Sequence, residues 1–297
     1  FDLKREFLES FLQCVIMLVG EDRRRHKHRC LFSVGNTFKK CSCSNLGFAE
    51  AYISGFLGHY LLDTTCHPYI YAMTHYHDKK EKSYFSRHAY LETEIDTELL
   101  ARKRHKTPCE FHAADTIQLT FAQKRVIAGL LYDAYHYAFP ELSIHRSTMW
   151  MGIISLPLGM RILHDETGQK KVLFRFMEKH FLGYPLFSPL IPSDTLFFRT
   201  DPFNLRHASW KNPWDATRVS TESFFDLYEK SSARCLTMMR KLHTLLHTEP
   251  KSELQKQLTL EFLKEYGNLS FHSGLDAQIQ ADAPPNRRIL LQMEKFP

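Results

Sequence analysis

Histidine and carboxylate residues recur at a helical spacing in residues 55–96 of this 297-residue chain. They form two trios, each with members four positions apart: His59, Asp63 and His67, then His88, Glu92 and Asp96. On an α-helix, side chains four positions apart lie one turn apart on the same face. Imidazole nitrogens and carboxylate oxygens are donors that Zn²⁺ prefers, and two such helices can hold a metal between them. The spacing therefore predicts a zinc site between two helices.

The setting of the first trio favours a metal over an ordinary surface pair. A single His-x-x-x-Asp pair also arises as a hydrogen bond on a solvated helix face. The apolar neighbours of this trio predict that its helix is buried: they are Phe56, Leu57, Tyr60, Leu61, Leu62 and Tyr69. Histidines and an aspartate in a buried helix need a compensating partner, and a cation supplies one. A hydrogen-bonded polar network in the core is the alternative.

Two sequence motifs in this stretch resemble a known enzyme family. They are H-Y-L-L-D-T-T-C-H-P-Y-I and, about twenty residues later, H-A-Y-L-E-T-E-I-D. This pair resembles the zinc-dependent phospholipase C family of bacteria, whose superfamily includes the P1/S1 nucleases. The strong resemblance covers residues 50–100. A looser one reaches W-K-N-P-W at 210–214 and the segment G-N-L-S-F-H-S-G-L.

The resemblance implies a cluster of two or three zinc ions and a set of protein ligands. It places His59 and Asp63 at the cluster, with Asp63 bridging, and joins His67 to His88 and Glu92 on another zinc. Family members usually take further ligands from near the amino terminus. Nothing before residue 55 matches those ligands convincingly, and the spacing from Asp63 to His67 is shorter than in the secreted phospholipases.

Such a metal cage favours hydrolysis of a phosphodiester. Zinc ions about 3.5 to 4 Å apart lower the pKa of a bridging water to near neutrality and stabilise charge on the leaving oxygen. Asp96 or Glu94 is a candidate to take the proton of the attacking water. Asp96 has an alternative role, which is to orient His88 from outside the metal's ligand shell. The predicted catalytic residues are therefore Asp63, Glu92 and Asp96.

Three functions are consistent with these residues. The favoured one is a zinc-dependent phosphodiesterase that acts on phospholipids. The alternatives are a nuclease or other phosphoesterase of the same superfamily, and a non-catalytic, metal-stabilised helical protein that acts through partners. The net charge of +6 and the pI of about 8.8 favour anionic partners. Peripheral membrane contact fits the aromatic segment 183–215, and nucleic acid is less favoured because no dense basic track alternates with aromatic residues.

Cysteine usage and hydropathy bear on the compartment. Seven scattered cysteines are not the pattern of a disulfide scaffold, which favours a reducing, cytoplasmic setting. A secreted protein is the alternative if a leader has been removed ahead of Phe1. No stretch approaches the roughly 18 to 20 apolar residues of a spanning helix. Two further metal sites are less favoured: His26 or His28, and a cysteine site formed by Cys30, Cys41 and Cys43.

Hydrophobic periodicity predicts an all-α fold, a multi-helix bundle with the metal site between core helices. We expect one domain over residues 1–297, with the metal-site core at about 45–100 and a helical C-terminal part at about 117–270. Pro68 is expected to bend or end the first metal helix, which Ser44 or Asn45 would cap. Residues 183–215 are expected to be irregular. The other helices are predicted at 3–19, from Ser83 or Ser86 to 99, 117–139, 144–163, 171–181, 220–247 and 252–266.

Overall fold

The computed structural model describes residues 43–76, 84–139, 141–194, 201–249 and 252–276, and they are mostly helical. The predicted all-α class is therefore confirmed for this part of the chain. The predicted first helix, the tail beyond residue 276 and four candidate ligands lie outside the described residues: His26, His28, Cys30 and Cys41. None of the described helices has both the length and the hydropathy needed to span a membrane.

Seven α-helices and one antiparallel hairpin make up the described residues. The helices are α1 (Cys43–Met73), α2 (Tyr84–Arg104), α3 (Phe121–Ala138), α4 (Arg146–Leu163), α5 (Gln169–Phe181), α6 (Phe224–His247) and α7 (Glu253–Tyr266). Short 3₁₀ helices cover Ala113–Ile117 and Ser188–Leu190. Strands β1 (Trp210–Asn212) and β2 (Asp215–Ser220) pair with Trp210 opposite Ser220. The hairpin corrects the expectation that residues 183–215 contain no regular structure.

The chain divides into two compact units. Among the described residues, one unit is built from 43–62, 119–153 and 231–276. The other is built from Asp63–Gln118 and Ile154–Lys230. Three of the boundaries between the units fall within helices α1, α4 and α6.

The first unit has a core of apolar side chains from α1, α3, α6 and α7. Its fully buried members include Ile53, Leu57, Leu61, Leu130, Met238, Leu242 and Leu246. Tyr60 stacks on Tyr266 with ring centroids 4.1 Å apart, and its hydroxyl accepts a hydrogen bond of 2.7 Å from the Leu269 amide. Apolar residues at helical spacing therefore face a common core, as the periodicity of the sequence predicts.

The second unit packs the chain between α5 and the hairpin against α2 and the end of α1. Thr93 of α2 donates to the Pro189 carbonyl at 2.8 Å, and Tyr69 of α1 donates to the Pro202 carbonyl at 2.6 Å. Trp210 and Trp214 are 8% and 7% exposed, so they fill the interior beside α1 rather than project into solvent. These contacts fix the end of α1 and the first turns of α2, which carry the predicted ligands.

Pro68 is predicted either to bend or to end helix α1. The helix does not end there. It runs on to Met73. Proline removes one helical hydrogen bond, but Tyr69, Ile70 and Tyr71 are all buried and hold the next turn in place by packing. Ser44 and Asn45 lie within the helix, so neither is its cap.

Two other helix boundaries differ from prediction for local reasons. Helix α2 continues past Leu99 to Arg104, because Arg102 pairs with Glu98 at 2.5 Å and lies over the Phe225 ring. Basic residues in a last turn also interact favourably with the helix dipole. Helix α3 begins at Phe121 because Thr120 caps it, and Gln123 completes a capping box with the Thr120 amide.

Candidate metal centre

Three of the five predicted ligands converge in the second unit. His67 lies on α1, and His88 and Glu92 lie one turn apart on α2. Oε1 of Glu92 is 3.3 Å from Nε2 of His67 and 3.0 Å from Nε2 of His88. One potential ligand atom from each residue lies within 4.8 Å of the other two. This is the grouping that the family resemblance implied for one of its zinc ions.

The donor set fits a zinc ion. Ligand bonds of about 2.0 to 2.2 Å in a tetrahedron place the donor atoms roughly 3.3 Å from one another. The two distances to Glu92, 3.3 and 3.0 Å, are close to that value. Two histidines and one glutamate are also the ligands of a familiar catalytic zinc site, in which the fourth position is left to water or substrate. The same distances equally satisfy hydrogen bonds between the imidazoles and the carboxylate.

The charge of the site is set by Glu92. Burial alone would raise the pKa of this carboxyl, but the hydrogen bonds to His67 and His88 outweigh it and lower the pKa to about 2. Glu92 is therefore an anion at neutral pH. An anionic oxygen beside two imidazoles is the arrangement that attracts a divalent cation.

Tyr84 orients His88 from the opposite side of the ring. Its hydroxyl lies 3.3 Å from Nδ1 of His88, which leaves Nε2 facing Glu92. Burial raises the pKa of Tyr84 well above its usual value, so the hydroxyl stays protonated. A metal-bound histidine is commonly held in this way through its second nitrogen. The sequence analysis missed this role, although Tyr84 lies four positions before His88 on the same stripe of α2.

An aromatic cluster forms a wall around these histidines. The Tyr71 ring centroid lies 4.8 Å from that of His88 and 4.8 Å from that of Trp214. Tyr76 stacks on Trp214 at 5.1 Å and meets Tyr84 edge-on at 4.7 Å. Trp214, from the aromatic segment 183–215, therefore packs into the wall of the site. The cluster limits rotation of the His88 ring and shields one side of the site from water.

Comparisons with protein families, with curated proteins and with solved structures found no match for this chain. The resemblance to zinc-dependent phospholipases C therefore stays a prediction.

The other two predicted ligands are not in this group. His59 is exposed and belongs to the first unit, where its ring lies 6.0 Å from that of Phe271. Asp63 is partly buried on α1. Among the described residues, neither His59 nor Asp63 belongs to a set of three converging ligand atoms. Their role in a second metal site stays a prediction.

The two candidate bases occupy different faces of α2. Glu94 is buried, and its charge acts on Lys171 of α5. Asp96 is exposed one turn beyond Glu92. Partial desolvation of its carboxyl and the negative charge of Glu92 raise the pKa of Asp96 to about 6. Tyr84, rather than Asp96, contacts the second nitrogen of His88. The role of Asp96 as a base stays a prediction.

Two more groups of histidine and carboxylate residues converge in the described part of the chain. In the first unit, Oε1 of Glu50 lies 2.7 Å from Nδ1 of His243, and Oε2 lies 3.1 Å from Nε2 of His247. In the second unit, His112, His164 and Glu166 bring their ligand atoms within 4.8 Å of one another. The four-residue spacing of His243 and His247 was a usable signal in the sequence. The other group joins two distant segments, and the sequence has no local signal for it.

Proposed function

We propose that this protein is a zinc-dependent phosphodiester hydrolase resembling phospholipase C. The observation that carries the proposal is the convergence of His67, His88 and Glu92 from two helices, with a donor spacing suited to zinc. Three protein ligands leave a coordination position for water or for a phosphate oxygen. A second zinc, held by His59 and Asp63, is part of the proposal because the family resemblance implies it.

The protein's own residues have distinct roles in this reaction. Bound zinc supplies a Lewis acid and an acidified water. His67, His88 and Glu92 hold that ion, and Tyr84 keeps the Nε2 atom of His88 directed at it. Asp96, with a pKa of about 6, is largely a carboxylate at pH 7 to 8. It lies one turn beyond Glu92 on α2, and we infer that it would take the proton of the attacking water.

The preference for a phospholipid is supported by α5, in the same unit. Four apolar residues of this helix are 53% to 83% exposed: Val172, Leu173, Phe176 and Phe181. Lys170, Arg175 and Lys179 accompany them along the helix. A helix that combines exposed apolar side chains with basic ones is suited to lie at an anionic lipid surface. This favours a peripheral membrane contact over a nucleic-acid groove.

The test is a parallel assay of the zinc-loaded protein on a phosphatidylcholine dispersion, a soluble aryl phosphodiester and a single-stranded oligonucleotide. Wild type is compared with Glu92→Gln and His88→Ala. His145→Ala is the matched control, because His145 is an exposed histidine outside the converging groups of the described residues. We expect release of diacylglycerol by wild type and His145→Ala, and its loss in both site variants.

Other results would reassign the function. Cleavage of the oligonucleotide alone would identify a nuclease. No turnover of any substrate by protein with confirmed zinc would favour the non-catalytic helical protein. Undiminished activity in Glu92→Gln would exclude this site as the centre of the reaction.

A further inference from the structure

A second group of potential ligands lines a cavity of about 240 Å³ in the second unit. His112, His164 and Glu166 lie on its wall, together with Arg161 and Asp115. The imidazole rings of His112 and His164 have centroids 4.3 Å apart. None of these residues belongs to the centre formed by His67, His88 and Glu92, so this cavity needs its own explanation.

The most informative atom here is Nε2 of His164. It is buried from solvent and has no hydrogen-bond partner among the described residues. Leaving a buried polar atom unsatisfied costs about 1 to 3 kcal/mol, and native proteins rarely leave one without a reason. One ring nitrogen of His164 lies within 4.8 Å of a ligand atom of His112 and one of Glu166. Two imidazoles and a carboxylate that lie close together on the wall of a cavity are suited to a metal ion.

The backbone that carries these side chains is firmly held. The His164 amide donates to the Met160 carbonyl at 3.0 Å, which ends α4. Asp165 is only 1% exposed and accepts from the amides of Lys170 and Lys171, so it fixes the turn between His164 and Glu166. On the other segment, the His112 carbonyl accepts from the Asp115 amide at 2.9 Å. The backbone at the three ligands is therefore fixed before any ion binds, which lowers the cost of binding.

We propose that His112, His164 and Glu166 form a separate binding site for Zn²⁺ that opens into this cavity. Two imidazoles and a carboxylate suit zinc better than Ca²⁺ or Mg²⁺, which prefer oxygen ligands. The cavity leaves space for a non-protein ligand at the fourth position. Arg161 adds a positive charge to the wall, and Asp115 adds a negative one. With the two positive charges of a bound Zn²⁺ and the negative charge of Glu166, the site would carry a net positive charge, so that ligand is a small anion such as phosphate or a carboxylate. This inference does not depend on the function proposed for the first centre.

The test counts zinc ions in the whole protein by equilibrium dialysis followed by elemental analysis. His112→Ala and Glu166→Gln are the main variants, because both residues are exposed and their replacement leaves the core intact. His164→Gln is the third, and circular dichroism confirms that each variant is folded. We expect each to bind one zinc fewer than wild type at micromolar zinc, or to bind that ion at least about 100-fold more weakly. His145→Ala is expected to match wild type.

A second measurement locates the ion. In ¹⁵N-histidine spectra, added zinc is expected to shift the imidazole signals of His112 and His164, assigned from the variants. Unchanged zinc stoichiometry in folded His112→Ala and Glu166→Gln would overturn the site, as would imidazole signals that do not move at saturating zinc. Activity on phosphodiesters plays no part in either readout, so this result is independent of the first centre.

The anion is tested with inorganic phosphate. Calorimetric titration of zinc-loaded wild type and Arg161→Gln is carried out in a Glu92→Gln background, which disables the first centre. We expect phosphate to bind, and Arg161→Gln to weaken it about tenfold or more. Equal phosphate affinity in the two proteins would show that Arg161 does not hold an anion there.

Discussion

Oε1 of Glu92 lies 3.3 Å from Nε2 of His67, although the two residues are 25 positions apart and belong to different helices. This contact joins α1 to α2 at the point where the predicted ligand stripes meet. A metal bound here would connect the same two helices. Its binding energy would therefore be partly folding energy.

The first prediction concerns zinc content. Replacing His67, His88 or Glu92 with alanine removes one of three ligands, so each variant is expected to lose the zinc of this centre. Elemental analysis after purification without chelator measures this, with His145→Ala as the control. Unchanged zinc content in His67→Ala and His88→Ala would show that the metal, if any, lies elsewhere.

The second prediction concerns thermal stability. An ion present at about 100 times its dissociation constant stabilises the folded state by about 2.7 kcal/mol, which corresponds to roughly 4 °C in Tm for a chain of 297 residues. Removing the metal with EDTA is therefore expected to lower Tm by that amount in wild type. The drop should be smaller in His67→Ala, which lacks the ion already. Wild-type unfolding that stays the same after confirmed metal loss would contradict a metal link between the helices.

The third prediction tests Tyr84 as the residue that positions His88. Tyr84→Phe keeps the aromatic packing and removes only the hydroxyl that contacts Nδ1. Loss of such a partner typically weakens metal binding about 10- to 100-fold, and we expect that change in zinc affinity with little change in far-UV circular dichroism. Tyr76→Phe is the matched control, because Tyr76 belongs to the same aromatic cluster but stacks on Trp214. Equal zinc affinity in the two variants would remove Tyr84 from this role.

The fourth prediction concerns Lys171, which is 2% exposed. Burial lowers its pKa to about 8; the charges of Glu94 and Asp165 oppose this, and that of Arg175 adds to it. Between pH 8 and about 10.5 the unfolded chain therefore binds more protons at this lysine than the folded protein does. Below pH 8, the buried charge of Lys171 lowers the free energy of unfolding by its full amount. As the pH rises from 8 to about 10.5, this effect is relieved, and the free energy of unfolding increases by up to about 1.4 kcal/mol per pH unit.

The measurement is the free energy of unfolding by urea at several pH values. Buried tyrosines with raised pKa values give an opposite slope in the same range, so wild type is compared with Lys171→Met. The difference in free energy of unfolding between wild type and Lys171→Met is expected to change between pH 8 and 10.5. It is expected to stay constant from pH 6 to 7. A difference that is constant across the whole range would mean that Lys171 keeps its usual pKa.

Much of the helical structure could be predicted because helix signals are local. Apolar residues recur every three or four positions in α1, α6 and α7, and the same spacing marks the stripe of His88 and Glu92 on α2. Capping residues refine the boundaries, and Thr120 shows how one side chain can move a helix start by a turn. Pro68 shows the limit of such reasoning, because burial of the following tyrosines and isoleucine outweighs a lost hydrogen bond.

The sequence by itself determined the all-α class and which residues could share a helix face, since both depend on neighbours within one or two turns. Only the tertiary structure decided which faces meet. It joined His67 to His88 and Glu92 and placed His59 in the other unit. It directed Glu94 toward Lys171 and brought His112 beside His164. These outcomes depend on packing between segments tens of residues apart, and local sequence patterns do not determine the energy of such contacts.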